Sequence, residues 1–216
     1  MGLVKIADEY ERLLNRDLQA ELQDESISRR KKVAIEDDIE SRKLSQVIEN
    51  PEGDYQGTSV TFRHLAMLAQ IKKDDSDVIT SLQKMGAIDQ ASPALLDRLA
   101  RMRNWVDSTH FPEELKIELL EQINEQAVNS LTPEAKRCIP AILANLTQCE
   151  WTADAINGAI PQAARDLELS PREAYSAAYG VLMGKAKGPR LAPILVEVER
   201  ASITGLFQAA TEHVRV

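Results

Sequence analysis

The sequence predicts an all-α protein, a multi-helix bundle or cage of about nine to eleven helices. Three observations predict it. Helix-start signals, in which Ser, Thr or Asp precedes a proline or an acidic residue, recur along the chain. Apolar residues return at spacings of three and four between those starts. No stretch sustains period-two alternation, and the one Asn-Gly pair, Asn157-Gly158, sits inside a helical pattern. Composition agrees. Hydrophobic residues make up 44% of the 216 residues but aromatics only 4%, so Leu, Ile, Val and Ala must fill the core. That balance suits helices better than a large sandwich or barrel.

The elements follow in order. Val4, Ala7, Leu14, Leu18 and Leu22 predict one helix over 4–22. A second is predicted over about 28–48, with sparse apolar positions among charges. Its basic run Arg29–Lys32 is followed at once by Glu36, Asp37, Asp38 and Glu40, the pattern of a solvated face with i,i+4 ion pairs. Pro51, Gly53 and Gly57 mark a loop and a boundary. Beyond it, helices are predicted from Ser59 to Ile71, from Asp74-Asp75 to a stop at Gly86, and from Ser92-Pro93 through Val106. Further starts fall at Pro112 with Glu113 and Glu114, at Thr132-Pro133-Glu134, at Thr152 with Asp154, and at Ser170-Pro171-Arg172-Glu173. The last of these reads as a capping box, Ser at N-cap and Glu at N3. A final helix covers roughly 201–214. The expected organisation is a charged helical segment, 1–57, leading into a helical domain, 58–216, with sub-bundles at 58–130 and 131–216. No repeat of fixed period suggests a solenoid.

Charge and motif searches narrow the function. A net charge of −8 argues against a sequence-blind nucleic-acid coat, and DNA is not an expected partner. It leaves room for one confined RNA contact, where local field outweighs total charge. No apolar run is long enough to span a membrane, and MGLVKIADEYERLL lacks a signal-peptide core. Gly2 is not a myristoylation site, because Ile6 stands where Ser or Thr is needed. Cys138 and Cys149 form no CxxC, and His64, His110 and His213 are scattered, so neither a disulfide framework nor a metal site is expected. Reduced thiols suit the cytoplasm. No GxSxG elbow appears, and the paired acids are explained by helix starts.

One window stands apart. From Ala174 to Val196 the chain has no acidic residue, yet it carries Lys185, Lys187 and Arg190. Gly184-Lys185-Ala186-Lys187-Gly188-Pro189-Arg190 is not a phosphate-binding loop of the Walker type: three residues separate its glycines, Pro189 lacks an N–H, and no strand precedes it. Gly184 reads instead as a helix C-terminus, with Gly188-Pro189 as a hard stop.

At Tyr175–Pro193 the residues become specific. They resemble a pattern of class I lysyl-tRNA synthetases, aromatic-xxx-Tyr-x-Val-Leu-Leu-Gly-Lys-x-x-Gly-Pro-Arg. Tyr175, Tyr179, Val181, Leu182, Gly184, Lys185, Gly188, Pro189 and Arg190 fit, and Met183 replaces the usual Leu. Val60–Leu65, Arg103–Val106 with Phe111–Glu114, and Trp151–Ala153 resemble further parts of that family's C-terminal helical region. Asp8–Leu13 and Ser41–Ser45 resemble, less specifically, its link to the catalytic domain. The family's two ATP signatures are missing from the sequence; Lys84-Met85-Gly86-Ala87 begins like one and then departs.

The resemblance implies an anticodon-binding C-terminal portion that recognises tRNA(Lys) for a catalytic domain lying outside this sequence, either as a separated piece or as a freestanding relative. On that expectation the chain itself neither aminoacylates nor holds a cofactor, ATP belonging to the parent enzyme. Anticodon bases are read by stacking and edge hydrogen bonds, which directs attention to Tyr175, Tyr179 and Trp105, with Arg101 nearby in sequence. Lys185, Lys187 and Arg190 are the expected phosphate ligands, by resemblance to related glutamyl enzymes whose matching loop lies near the anticodon. Two alternatives remain open: a helical protein-interaction scaffold, favoured by the acidic surface, and the anticodon domain of a glutamyl-type synthetase.

Overall fold

A computed structural model describes residues 2–45 and 60–215, which form twelve α-helices and one 3-10 turn and contain no strand. The helices are α1 (Gly2–Leu14), α2 (Leu18–Gln23), α3 (Arg29–Ser45), α4 (Phe62–Ile71), α5 (Asp75–Lys84) and α6 (Pro93–Val106), then α7 (Glu125–Asn129), α8 (Pro133–Gln148), α9 (Ala153–Arg165), α10 (Pro171–Met183), α11 (Leu191–Leu195) and α12 (Arg200–Arg215). The all-α expectation holds. The total exceeds the expected count because α2, α7 and α11 are too short for apolar periodicity to register. The loop at 50–58 and the boundary after residue 57 lie outside the described residues.

Most predicted starts are capped as the residue types require. Ser92 Oγ accepts from the Leu95 N–H at 3.1 Å, Thr132 Oγ1 from Ala135 at 3.1 Å, and Thr152 Oγ1 from Ala155 at 3.3 Å. Three expectations need correction. The single helix over 4–22 is two helices, because Asp17 caps a new start by accepting from the Ala20 N–H at 3.0 Å. The helix expected from Pro112 is only the 3-10 turn Glu113–Leu115. Its continuation is held extended by tertiary bonds: the Ile117 N–H donates to Gln70 Oε1 at 2.9 Å, and the Leu120 N–H to the Leu182 carbonyl at 2.9 Å. The capping box at Ser170 does not close as a box. Ser170 Oγ accepts from the Arg172 N–H, while Glu173 turns to accept a 2.7 Å hydrogen bond from Thr132 Oγ1, tying the start of α10 to that of α8.

Packing divides the helices into two interacting sets. In the first, α4 contacts α1, α5 and α6. In the second, α8, α9 and α10 pack on one another, with α12 on α8 and α10 and with α11 on α9. Small residues let α10 approach closely: Ala174, Ala177, Ala178 and Gly180 are buried, and a Cβ on Gly180 would lie 3.0 Å from Leu131 Cδ2. Buried side chains from Val60 to Ala210 nevertheless form one contiguous core, including Leu65, Leu99, Ile142, Ile160, Leu182 and Phe207. Polar stitches cross between the sets. Lys72 Nζ donates to the Glu197 carbonyl at 2.7 Å and lies 3.3 Å from its carboxylate, which also accepts from Ser81 Oγ at 2.6 Å.

Candidate nucleic-acid interface

The turn from Gly184 to Arg190, between α10 and α11, is built by local chemistry. Gly184 ends α10 in the left-handed region at φ +62°, where a β-carbon would be strained. Tyr179, one turn back on α10, then holds the far side of the turn. Its hydroxyl lies 2.7 Å from the Pro189 carbonyl and 3.1 Å from that of Gly188. The Tyr179 ring lies so close to Gly188 that a Cβ there would meet its Cε1 at 3.1 Å and Met183 Sδ at 3.2 Å. Glycine at 188 is therefore a packing requirement. Burial, and secondarily the neighbouring Tyr175, pushes the Tyr179 phenol up, so it stays a neutral donor.

The three cations of the turn differ. Lys185 Nζ sits 2.8 Å from Glu118 Oε2, and that hydrogen bond holds the exposed Glu118 carboxyl below its usual range. A phosphate approaching Lys185 must compete with Glu118. Lys187 and Arg190 are exposed and have no side-chain hydrogen bond or ion pair among the described residues. The charge reversal legible in the sequence is thus a turn with two uncommitted cations and one engaged one.

The other expected residues lie in different settings. Tyr175 is half-buried against the core, and Tyr179 spends its hydroxyl on the turn. Trp105, near the end of α6, stacks obliquely on Phe62 (centroids 5.1 Å apart, 48°) and meets Phe111 edge-on (4.7 Å, 75°). Arg101 is 79% exposed and paired with Asp97 one turn away. Its neighbours serve the fold: Arg98 pairs with Glu11 at 2.5 Å, and Arg103 with Asp75 at 2.7 Å. The arginines of α6 therefore do not converge on one point.

Trp105 and Arg190 do meet at a cleft of about 750 Å³ between the two helix sets. Phe62, Met67, Trp105 and Phe111 contribute from one side, and Pro189, Arg190 and Pro193 from the other. His64 also lines it, and its Nε2 is buried without a hydrogen-bond partner among the described residues. Leaving such a group unsatisfied costs about 1–3 kcal/mol. Burial lowers the pKa of His64 below its ordinary 6.5, only partly opposed by Glu197, so the ring is neutral at neutral pH. The sequence reading missed Phe62, His64 and Phe111 as site residues and Glu118 as a competitor. Only the scarcity of aromatics could have drawn attention to the two phenylalanines.

The chain belongs to the anticodon binding domain family, which it matches over residues 63–202. Its similarity to individual proteins is to archaeal lysine–tRNA ligases. It is 29% identical to that of Thermoplasma volcanium over 192 residues, which cover 88% of this chain and 34% of the relative. For Thermococcus kodakarensis the identity is 31% over 146 residues, 64% of this chain and 27% of the relative. For Picrophilus torridus it is 24% over 211 residues, 96% and 38%. The chain spans about a third of the length of these curated relatives.

Proposed function

We propose that this chain is the anticodon-reading portion of a class I lysine–tRNA ligase and that it binds tRNA(Lys). The family match carries the reading, and the Tyr179-held turn supplies the charge that it needs. Lys187 and Arg190 contact phosphates directly, and Lys185 joins them by exchanging Glu118 for a phosphate. Lysine activation with ATP and its transfer to tRNA belong to the catalytic domain of the parent enzyme, and this portion contributes recognition without a cofactor of its own. Its place is the cytoplasm, where translation runs. Among the described residues no helix is long and apolar enough to cross a membrane.

The test is a gel shift of the protein against lysine tRNA and an unrelated tRNA over a range of salt. The lysine tRNA should bind more tightly. Lys185→Ala with Lys187→Ala should weaken binding and make its salt dependence shallower by about 1–2 in slope. Equal affinity for both tRNAs, or an unchanged affinity and slope in the double variant, refutes the assignment.

A further inference from the structure

A cation recognises a phosphate and is blind to the sugar beside it. Lys187 and Arg190 would therefore take DNA as readily as RNA, yet the turn is not built of cations alone. Glu118, from the stretch between the 3-10 turn and α7, is held against it, with its Oε2 2.8 Å from Lys185 Nζ. We propose that Glu118 reads the sugar: when a phosphate takes Lys185, the released carboxylate accepts a hydrogen bond from the adjacent ribose 2′-hydroxyl, and the turn thereby distinguishes RNA from DNA. This rests on the exchange of Glu118 for a phosphate proposed above.

Three observations carry this reading. First, the carboxylate is delivered by an anchored segment. Gln70 of α4 grips it twice: its Nε2 donates to the Leu115 carbonyl at 3.3 Å, and its Oε1 accepts from the Ile117 N–H at 2.9 Å. Beyond Glu118, the Leu120 N–H donates to the Leu182 carbonyl of α10 at 2.9 Å. The segment also packs against the start of the turn, where a Cβ on Gly184 would meet Leu120 Cδ1 at 3.6 Å and Asn124 Nδ2 at 3.4 Å. The backbone of Glu118, between these anchors, cannot withdraw when Lys185 is taken. Second, the fold has little need of the pair. The Glu118 and Lys185 side chains are 65% and 35% exposed, and such surface pairs add little to stability. Lys116, two residues away, is itself paired with Glu113. A carboxylate left beside phosphates is repelled by them unless the nucleic acid offers it a donor. Third, RNA has that donor at the right place. The 2′-hydroxyl sits on the ribose carbon next to the one that carries the 3′ phosphate, whereas the base edges lie across the sugar. The turn has no charged acceptor of its own, because no acidic residue occurs from Ala174 to Val196, and its Gly188 and Pro189 carbonyls already face the Tyr179 hydroxyl.

The experiment compares lysine tRNA with a chemically assembled copy whose anticodon arm carries 2′-fluoro in place of every 2′-hydroxyl. Fluorine keeps the sugar pucker of RNA and the phosphates but removes the donor. Affinities are measured for the wild type, for Glu118→Ala, and for Glu121→Ala, which removes an exposed carboxylate of the same segment that pairs with no cation among the described residues. The wild type should bind the hydroxylated tRNA about tenfold more tightly than the fluorinated one. In Glu118→Ala that ratio should fall toward one, whichever way the absolute affinity moves once the competitor for Lys185 is gone. Glu121→Ala should keep the wild-type ratio. A wild type that binds both tRNAs equally, or a ratio that Glu118→Ala leaves unchanged, overturns the sugar reading and leaves the RNA reading standing. An equal fall of the ratio in Glu121→Ala assigns it to bulk negative charge and overturns the role of Glu118 as well. If the wild type binds neither tRNA, the RNA reading itself falls and takes this one with it.

Discussion

Gly188 shows how much a single missing side chain controls here. The Tyr179 ring and Met183 Sδ occupy the space that any β-carbon at 188 would need. Gly188→Ala should therefore cost about 1–3 kcal/mol, read as a lower urea midpoint, and it should displace Arg190, two residues further on. Tyr179→Phe keeps the ring but removes the hydroxyl from the Pro189 carbonyl. A loss of about 1 kcal/mol is expected, with tRNA affinity falling further than stability does, because the turn is released. His64 adds a pH dependence of defined sign. Its folded pKa lies below the ordinary 6.5, so the unfolded chain takes up the proton first. Stability should be full above that value and decline as pH falls below it. Thermal melts should show this decline in the wild type and a shallower one in His64→Gln; equal slopes would show that the imidazole is not the group responsible.

At the scale of elements, one buried carboxylate ties the first helix to both α4 and α6. Glu11 of α1 is buried, accepts the Phe62 N–H at the start of α4 at 2.5 Å, and pairs with Arg98 of α6 at 2.5 Å. Arg98 in turn donates to the Val60 carbonyl at 2.8 Å. One side chain thus joins three helices. Glu11→Ala leaves the Arg98 guanidinium without that partner, and a loss of about 3 kcal/mol in a denaturant titration is expected. The same variant should speed proteolysis within α1, because that helix loses its buried tie to α4 and keeps the exposed Asp8–Arg63 pair. Local patterning misread the neighbouring elements for physical reasons. The break before α2 depends on Asp17 competing for backbone donors, and the failure of a helix after Pro112 depends on Gln70 and Leu182 supplying other partners.

At the scale of the molecule, the two helix sets share one core but meet through few polar stitches. Glu197 is the most connected of these, bonded to Ser81 and paired with Lys72. Trp105 reports on the first set and Trp151, stacked under Arg200 at 5.4 Å, on the second. In the wild type both tryptophans should lose native fluorescence at one denaturant concentration. Glu197→Ala removes the carboxylate from Lys72 and should cost about 3 kcal/mol, with the Trp105 transition moving below that of Trp151. Coincident transitions in the variant would show that the shared apolar core alone couples the sets.

The sequence by itself determined the all-α class, because caps and apolar spacing are local signals that need no partner elsewhere. It also determined the family and the acid-free window, since motif and charge are properties of order along the chain. The left-handed stop at Gly184 was legible for the same reason. Tertiary structure alone decided what those residues face. Tyr179 and Trp105 are both aromatic and both on helices, yet one clamps a turn and the other lines a cleft. Lys185 and Lys187 are two positions apart, yet among the described residues only Lys185 has a carboxylate opposite, from Glu118, which lies 67 residues away in the chain. Spacing along a helix specifies a face. What lies across from that face is set by chain segments brought together only when the apolar core closes.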